Sequence, residues 1–343
     1  MKALVLEEKR KLSLRDYPIT ETTGPDDVKI KIKACGICGS DIHYYTEGAI
    51  GDFIVREPMI MGHEAAGEII EVGKNVKHLK VGDLVCMEPG IPNLHSREVL
   101  EGMYNIDPDV VFWATPPVHG CLRETVVHPA QFCFKLPEGV SAAEGAMIEP
   151  LAIGVEAAKK AAIKPGDTAL VIGCGTIGVM CAISALAGGC SKVWITDVKQ
   201  AKLDLAGTVE NIVPVNTEKV NLLDYIAKET EGKGVDVIFE ASGSPKVYPD
   251  FFRCAKKGAR AILVGMMNGT VPLDVNVLSN RGITVESIFR YTNCFDRAIA
   301  LVKAGKIDIK RFISKTYKLD DAIAAYEFAA EGHPEIVKVM IEL

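Results

Sequence analysis

The hydrophobic pattern changes character near the middle of the chain. Before Leu151, short runs alternate apolar and polar positions, as in 28–33, where valine or isoleucine alternates with lysine. A period of two predicts half-buried β-strands, and further short runs at 67–73 and 82–86 are separated by turns rich in glycine, proline and aspartate. The sequence therefore predicts a β-rich first domain with short helices, in the form of a partly open barrel.

After that point, apolar strands alternate with alanine-rich helices. A helix is predicted over 152–162, strands at 168–173, 192–197, 211–215, 235–240, 259–265 and 283–288, and helices near 176–187, 199–206, 219–230 and 246–256. This alternation is what a parallel, doubly wound sheet requires, so the second domain is predicted to be α/β.

Two more helices, near 294–304 and 320–331, and a last strand at 336–341 lie beyond the sixth strand. We expect this final segment to return to the first domain. The predicted organisation is therefore a first domain over 1–151, a second over 152–288 and a returning segment over 289–343. We find no internal repeats and no low-complexity tracts.

A glycine-rich turn follows the first strand of the second domain. The apolar run stops at Gly173, and Gly175 and Gly178 complete a Gly-x-Gly-x-x-Gly pattern that leads into a predicted helix. The first glycine permits a tight turn, the second lets a diphosphate approach the backbone, and the third lets helix and strand pack closely. The helix start supplies free N–H groups. An ordinary turn is the alternative, but this context favours dinucleotide binding.

Asp197 ends the next strand and is placed to accept hydrogen bonds from a ribose 2′-hydroxyl. Its carboxylate would repel a 2′-phosphate, which favours NAD over NADP. Lys199 and Lys202 lie close behind it and offset part of that repulsion.

Composition limits the possible partners and location. The 343-residue chain is 48% hydrophobic and 24% charged, as in ordinary globular proteins, and its net charge of −6 argues against nucleic acid or an anionic membrane as main partner. We see no signal peptide and no apolar run long enough to span a membrane. Ten dispersed cysteines, several of them in apolar runs, predict buried thiols in a reducing cytoplasm.

The first domain contains residue types that bind metals. Cys38, His63 and Glu149, brought together by folding, could hold zinc and leave one position open, which is the catalytic pattern. Each alone has another explanation: a buried thiol, a turn residue or a surface acid. The spacing Cys35-x-x-Cys38 also occurs in thioredoxin-like redox pairs, but the helix pattern of those proteins is missing here. The metal would polarise a carbonyl or lower the pKa of an alcohol while a cofactor carries hydride.

These motifs resemble the zinc-dependent medium-chain dehydrogenase/reductase family, and within it the polyol branch of sorbitol and xylitol dehydrogenases. The matching segments are Gly-Ile-Cys-Gly-Ser-Asp-Ile-His-Tyr at 36–44, Gly-His-Glu at 62–64, Ala-Thr-Pro-Pro at 114–117, Ile-Glu-Pro-Leu at 148–151, the glycine pattern and Phe-Arg-Tyr at 289–291. The resemblance implies a GroES-like catalytic zinc domain, a Rossmann NAD-binding domain and a returning C-terminal segment.

The resemblance also implies roles for residues near the metal. It makes zinc ligands of Cys38, His63 and Glu64. Glu149 either ligates zinc directly or acts through a water or the substrate, and it counts among the catalytic residues. The other two catalytic residues are Ser40, which starts a proton relay, and His43, which continues it. Neighbouring ligands 63 and 64 can reach one metal only if the backbone turns, because successive strand residues face opposite ways. A glycine at 62 permits that turn.

Further residues are implied to line the substrate and cofactor sites. The polyol would be contacted by Tyr44, Phe112, Thr115, Glu149, Arg290 and Tyr291. The dinucleotide would be contacted by Gly173, Gly175, Ile177, Gly178, Asp197, Lys202, Val264, Gly265, Met266, Phe289 and Arg290. Arg290 offers fixed donors suited to vicinal hydroxyls, although a salt bridge between domains is an alternative role for it.

One departure from the family pattern concerns a second metal. Many relatives carry a structural zinc on a lobe with four cysteines, whereas the corresponding positions here are Asn93, Ser96, Val99 and Asp107. Closed structural zinc sites normally need thiolates. We therefore expect one zinc per subunit.

The resemblance implies an NAD-dependent polyol dehydrogenase that converts xylitol or sorbitol to D-xylulose or D-fructose, and the reverse. Alternatives are a zinc dehydrogenase of the same family acting on threonine, butanediol or a sugar phosphate, and a nucleotide-binding relative without catalysis. The family likeness suggests a homotetramer, and the strand at 283–288 is a candidate edge for joining subunits.

Overall fold

The chain folds into two compact units. One consists of Met1–Glu149 together with Asp308–Leu343, and the other of Pro150–Ile307. The computed structural model describes residues 1–248, 250–267 and 269–343. Within those ranges, no helix combines the length and the apolar character needed to cross a membrane.

The first unit is rich in short strands. Its elements before residue 147 are β1 (Lys2–Glu8), β2 (Lys11–Asp16), β3 (Asp27–Gly36), α1 (Gly39–Glu47), β4 (Ala49–Ile50), β5 (Phe53–Ile54), β6 (Met59–Ile60), β7 (Glu64–Val72), β8 (Leu84–Met87), β9 (Gly90–Ile91), α2 (Arg97–Leu100), β10 (Val111–Phe112), β11 (Thr125–Pro129), β12 (Cys133–Lys135) and α3 (Ala142–Ala146). Along β3, Val28, Ile30 and Ile32 are fully buried while the lysines between them are not, as the period of two predicts.

The second unit alternates helices and strands. Its elements are α4 (Ile148–Lys160), β13 (Thr168–Ile172), α5 (Thr176–Gly188), β14 (Lys192–Asp197), α6 (Gln200–Ala206), β15 (Ile212–Asn216), α7 (Leu222–Glu229), β16 (Val235–Glu240), β17 (Ala255–Leu263), α8 (Val275–Arg281), β18 (Thr284–Ser287) and α9 (Phe295–Lys303). The strands are parallel and pair in the order β15-β14-β13-β16-β17-β18. Helices cover both faces of such sheets, which explains why consecutive residues of β13 are buried.

The end of the chain completes the sheet of the first unit. It forms β19 (Ile313–Lys318), α10 (Ala322–Glu331) and β20 (Lys338–Glu342). Strand β20 pairs antiparallel with β3 and parallel with β19, and the strands run β12-β8-β7-β3-β20-β19, with β11 also on β3. The predicted α/β fold, with its β-rich part and its doubly wound parallel sheet, is confirmed.

Two details differ from the prediction. The returning segment, predicted to begin at 289, stays with the second unit as far as Ile307, because Thr292 and Cys294 hydrogen-bond to Glu156 on α4. The helix predicted near 246–256 is replaced by 3₁₀ turns at Pro245–Val247 and Phe251–Cys254, and residue 249 of that prediction lies outside the described residues.

A neutral histidine is buried in the first unit. His128 on β11 is fully buried, its ring lies 4.5 Å from that of Trp113, and its Nε2 donates a 2.8 Å hydrogen bond to the carbonyl of Glu88. Burial lowers the pKa of His128 from its ordinary value to about 4. The folded protein therefore holds this ring unprotonated at neutral pH.

This burial predicts a loss of stability in mild acid. As the pH falls below the ordinary histidine pKa, His128 becomes protonated in the unfolded chain but stays neutral in the folded one. The free energy of unfolding therefore decreases until the pH reaches the lower pKa that His128 has in the folded protein. Between about pH 7.5 and pH 5, the free energy of unfolding of the wild type should fall by about 2 kcal/mol more than that of His128→Gln. Urea titrations at both pH values measure the difference, and equal losses in the two proteins would contradict it.

Candidate functional site

Three potential metal ligands meet in the first unit. Cys38 immediately precedes α1, His63 precedes β7, and Glu64 begins that strand. The sulfur, a ring nitrogen and a carboxylate oxygen all lie within 4.8 Å of one another. His63 and Glu64 are buried, and Cys38 is half-buried. A cluster of this kind, made of sulfur, nitrogen and oxygen donors, fits zinc.

The backbone at Gly62 explains how two adjacent residues reach the same point. Its φ of 87° is a left-handed conformation that favours glycine. A Cβ at this position would lie 2.7 Å from the Cys35 sulfur, so a larger residue would also meet a steric clash. The chain therefore turns sharply at Gly62, as the neighbouring ligands require.

Asp41 holds two of the ligands in place and was not given a role by the sequence. Its Oδ2 accepts a 3.0 Å hydrogen bond from the Cys38 N–H, which caps the start of α1. Its Oδ1 lies 3.5 Å from Nδ1 of His63, and the side chain is fully buried. A carboxylate beside a metal-binding histidine fixes the orientation of the ring. The available signal was the acid three residues after Cys38, where a capping box has its partner.

The electrostatic environment of His63 favours a proton when no metal is bound. Burial by itself lowers the pKa of His63, but its interactions with the Asp41 carboxylate and the Cys38 sulfur outweigh burial and raise this pKa well above its usual value. A metal that binds here must displace that proton, so binding is coupled to proton release.

A buried lysine pairs with the third ligand. Lys338 on β20 is almost fully buried, and its Nζ donates to both carboxylate oxygens of Glu64 at 2.7 and 2.6 Å and to the carbonyl of Ile37 at 3.1 Å. Burial opposes the charged form, but Glu64 and Cys38 reverse the effect and raise the pKa of Lys338. Sequence reasoning missed this residue, although a single lysine within an apolar last strand was the visible signal.

The structure gives each of the other predicted residues of the first unit its own environment. Glu149 is buried in the first turn of α4, outside the three-residue cluster, and its charge contributes to the raised pKa of Lys338. Phe112 lies against the cluster, with its ring 5.8 Å from that of His63. Tyr44 belongs to the hydrophobic core of the unit, and Thr115 is half-buried.

Ser40 and His43 both lie on α1, three residues apart. Residues with that spacing are neighbours on one helix face. Ser40 is half-buried and His43 is exposed, so the helix places them in order from the interior towards solvent.

In the second unit, the glycine turn has the shape of a dinucleotide cradle. A Cβ on Gly173, which has a φ of 98°, would lie 2.8 Å from the Cα of Ser242, and one on Gly178 would lie 1.9 Å from the carbonyl oxygen of Gly173. Gly175 caps the start of α5, and no atom lies within 4 Å of where its Cβ would be. The first and third glycines are thus required by packing, while the second leaves the helix N-terminus accessible, as diphosphate binding requires.

Asp197 is attached to this turn. Its Oδ2 accepts from the N–H of Cys174 and its Oδ1 from the N–H of Lys199, both at 2.9 Å. Lys202 is also near the turn, because its carbonyl accepts from the Cys174 sulfhydryl at 3.4 Å. The acid therefore lies beside the turn, as a ribose contact requires.

Two of the remaining predicted residues of this unit hydrogen-bond to Glu240, and the others are described by their exposure and contacts. Val264 and Gly265 donate their N–H groups to the carbonyl of Glu240, both at 2.8 Å. The positions of the others are as follows: Ile177 is half-buried in the first turn of α5, Met266 and Phe289 are exposed, the Arg290 guanidinium lies 4.7 Å from the centre of the Phe289 ring, and Tyr291 is buried.

The lobe that lacks cysteines is held by hydrogen bonds. Buried Asp107 accepts from the N–H of Asn93 at 2.6 Å, and Ser96 caps α2 by accepting from the N–H of Val99 at 3.3 Å. The hydroxyl of Tyr104 adds a 2.7 Å hydrogen bond to Glu88. Positions 93, 96, 99 and 107, where the family resemblance implies cysteines, thus all have hydrogen-bond partners within the lobe.

Elemental analysis of the purified protein should give about one zinc per chain. Among the residues that the structure describes, one cluster carries the donors zinc prefers, and the lobe has none of the thiolates a structural site needs. Two tightly bound zinc ions per chain would contradict this.

The contact between Lys338 and Glu64 predicts strong coupling in the metal-free protein. Lys338→Met or Glu64→Gln alone leaves one buried charge without compensation and should lower the free energy of unfolding by about 3–5 kcal/mol. The double variant removes both charges and should lose much less than the sum. Denaturant titrations after chelation measure the free energy of unfolding of the wild type, the two single variants and the double variant. If the double variant loses as much as the two single variants together, the proposed coupling is ruled out.

Comparison with known proteins agrees with this geometry. Residues 24–138 match the alcohol dehydrogenase GroES-like domain family, and residues 176–304 match the zinc-binding dehydrogenase family. A D-xylulose reductase of Morganella morganii is 52% identical over 96% of this chain and 98% of its own length. A sorbitol dehydrogenase of Arabidopsis thaliana is 40% identical over 94% of this chain and 90% of its own.

A solved structure has the same fold. It is an oxidoreductase/dehydrogenase of unknown specificity from Escherichia coli, with a TM-score of 0.95, 32% sequence identity and coverage of 99% of this chain and 98% of that one. With its cysteine, histidine and glutamate cluster, its glycine turn and these similarities over nearly its whole length, the chain belongs to the zinc-dependent medium-chain dehydrogenase/reductase family, in the polyol branch.

Proposed function

We propose that this protein is an NAD-dependent, zinc-dependent polyol dehydrogenase that interconverts xylitol or sorbitol and the corresponding 2-ketose. The observation that carries the proposal is the buried cluster of Cys38, His63 and Glu64 in a chain whose relatives include a D-xylulose reductase and a sorbitol dehydrogenase. The intact donor set argues for catalysis rather than nucleotide binding alone.

When bound, zinc would supply a Lewis acid that lowers the pKa of an alcohol, and NAD would accept the hydride. Cys38, His63 and Glu64 are the residues that would hold the metal. Asp41 keeps the His63 ring in a fixed orientation, and Lys338 keeps the Glu64 carboxylate in place. The protein thereby positions its donors before the substrate arrives.

We propose that Ser40 and His43 move the alcohol proton to solvent. Their places on one face of α1, half-buried and exposed respectively, support a short path from the interior to water. A hydroxyl can both accept and donate a proton, and an imidazole ring can do the same through its two nitrogens. Glu149 would hold the substrate or a water nearby, or ligate the metal itself.

We assign five residues besides Glu149 to recognition of the polyol. In the first unit we assign Tyr44, Phe112 and Thr115, and the contact between the Phe112 and His63 rings supports this for Phe112. In the second unit we assign Arg290 and Tyr291. The guanidinium presents several donors in a fixed plane, which suits adjacent hydroxyl groups.

The dinucleotide would bind along the glycine turn, where Gly175 leaves room for the diphosphate and Asp197 would accept from the adenosine ribose. The other cofactor residues would be Gly173, Ile177, Gly178, Lys202, Val264, Gly265, Met266, Phe289 and Arg290. The Asp197 carboxylate supports NAD, since it would repel the extra phosphate of NADP.

We further propose a homotetramer that acts in the cytoplasm. Strand β18 ends the order of the parallel sheet within the described residues, which leaves an edge that a second copy could extend. All ten cysteines are free thiols, as a reducing compartment favours.

The test is an NADH absorbance assay with xylitol, sorbitol, ribitol, threonine and butanediol. Xylitol or sorbitol should give the highest kcat/KM, a chelator should abolish the rate, and added zinc should restore it. A rate confined to threonine or butanediol would overturn the substrate assignment.

Cys38→Ser provides the matched test of the metal role. It should reduce kcat/KM by at least about 1,000-fold while changing NAD affinity by less than about twofold, because the sulfur is a ligand and no part of the glycine turn. Cys35→Ser is the control, since the Cys35 sulfur instead faces that of Cys121 at 3.8 Å. Full activity in Cys38→Ser, or equal loss in both variants, would refute the assignment.

A further inference from the structure

A buried carboxylate on α4, paired with an exposed lysine of the same helix, contacts the segment that connects β18 to α9. Glu156 is almost fully buried, and its Oε2 lies 2.5 Å from the Nζ of Lys159. The same oxygen accepts hydrogen bonds from the N–H of Thr292 at 3.2 Å and from the sulfhydryl of Cys294 at 3.2 Å. A single carboxylate oxygen thus receives donors from residues that lie far away in the sequence.

Lys159 completes the attachment. Its Nζ donates to the carbonyl of Thr292 at 2.8 Å and to the Thr292 hydroxyl at 3.1 Å. The N–H of Thr292 is therefore held by Glu156 and its C=O by Lys159, two residues separated by about one helical turn on α4. Binding both polar groups of one residue fixes the direction of the backbone there.

The attached segment has an unusual backbone. Arg290 has a φ of 59° and Asn293 a φ of 53°, and both are non-glycine residues in the left-handed region. Conformations of this kind persist where the surroundings hold them. Between them, Tyr291 is buried and its ring packs edge-on against Phe295 at 5.4 Å. The ion pair and this ring contact together hold the segment in one shape.

The polar contacts of Glu156 and Lys159 with Thr292 are better suited to orienting the backbone than to filling space. A buried carboxylate is costly unless it is paired, and apolar residues of similar volume would fill the space at lower cost. Hydrogen bonds, unlike apolar contacts, depend on direction, so they can fix a backbone that has to present a particular side chain. Arg290 is two residues from Thr292 and is one of the side chains we assign to the polyol.

We propose that Glu156 and Lys159 are positioning residues that orient Arg290 and thereby set the affinity of the enzyme for its polyol. The inference rests on the proposed function, in which Arg290 contacts the hydroxyl groups of the substrate. Neither Glu156 nor Lys159 is itself assigned a contact with the polyol or the cofactor.

The first experiment compares KM with kcat for Glu156→Gln, using whichever of xylitol and sorbitol the wild type prefers. The KM for the polyol should rise about tenfold because Arg290 is no longer held in its binding orientation, while kcat changes by less than about threefold. Zinc content and the melting temperature measure whether the variant is folded. Lys159→Met should show the same KM effect.

Lys160→Met is the matched control. Lys160 is the next residue of α4, is as exposed as Lys159, and has its Nζ 3.9 Å from Glu286 instead of on Thr292. Its KM should stay within about twofold of the wild type. If Glu156→Gln does not fold, the comparison of Lys159→Met with Lys160→Met decides the question, and equal KM values in those two variants would overturn the inference.

A double-mutant cycle separates positioning from a general structural role. In an Arg290→Met background, Glu156→Gln or Lys159→Met should raise KM by less than about twofold, because the effect passes through Arg290. A purely structural role would raise KM equally in both backgrounds, which would refute the inference. If Arg290→Met alone leaves the polyol KM unchanged, the substrate contact in the proposed function is wrong. If Arg290→Met raises KM while Glu156→Gln and Lys159→Met do not, only the positioning inference fails.

Discussion

The contact between Lys338 and Glu64 is the constraint on which the first unit depends. It joins the last strand to the cluster of Cys38, His63 and Glu64 across 274 residues of sequence, and both side chains are almost fully buried. Such a pair is tolerated only when the two charges face each other with good geometry, because each alone would cost several kcal/mol to bury. The pairing of β20 with β3 provides this geometry: Met340 lies opposite Gly36, which brings Lys338 next to Ile37 and the adjacent Cys38.

A comparable constraint shapes the nucleotide turn of the second unit. Glu240 is fully buried at the end of β16, and its Oε1 accepts from the N–H groups of Ser242 at 2.8 Å and Gly243 at 3.1 Å. Ser242 in turn occupies the space that a side chain on Gly173 would need. The turn therefore depends on two adjoining loops: one has a glycine at 173, where a side chain would clash, and the other is held by a buried carboxylate.

The sequence predicts the architecture well because periodicity is a local property. Alternation along β3 and the regular succession of helices and strands after Leu151 each follow from neighbouring residues. The helix predicted near 246–256 fails where Tyr248, Phe251 and Phe252 pack against one another, with the two phenylalanine rings 4.0 Å apart. Tertiary packing decides the backbone there, and a proline at 249 lacks the N–H that a helix interior needs.

The candidate site is predictable only where its residues form local motifs. Cys38, His63 and Glu64 stand in short recognisable segments. Lys338 and Glu156 do not, since the contacts that give them a role, with Glu64 and Thr292, are made more than 100 residues away. No pattern within a single segment specifies which distant charge will face it. A lone charged residue in an otherwise apolar element is still informative, because burial would be prohibitive without a partner.

The two lysine–glutamate pairs share one property that distinguishes them from ordinary surface salt bridges. Glu64 and Glu156 are both buried, and each shares its lysine with a backbone carbonyl, that of Ile37 in one case and that of Thr292 in the other. The lysine therefore connects a carboxylate to a specific peptide group and does more than neutralise it. Since apolar residues can fill such space with equal or greater stability, stability alone does not account for these pairs. What they add is direction: one fixes the Glu64 carboxylate beside Cys38 and His63, and the other fixes the backbone beside Arg290.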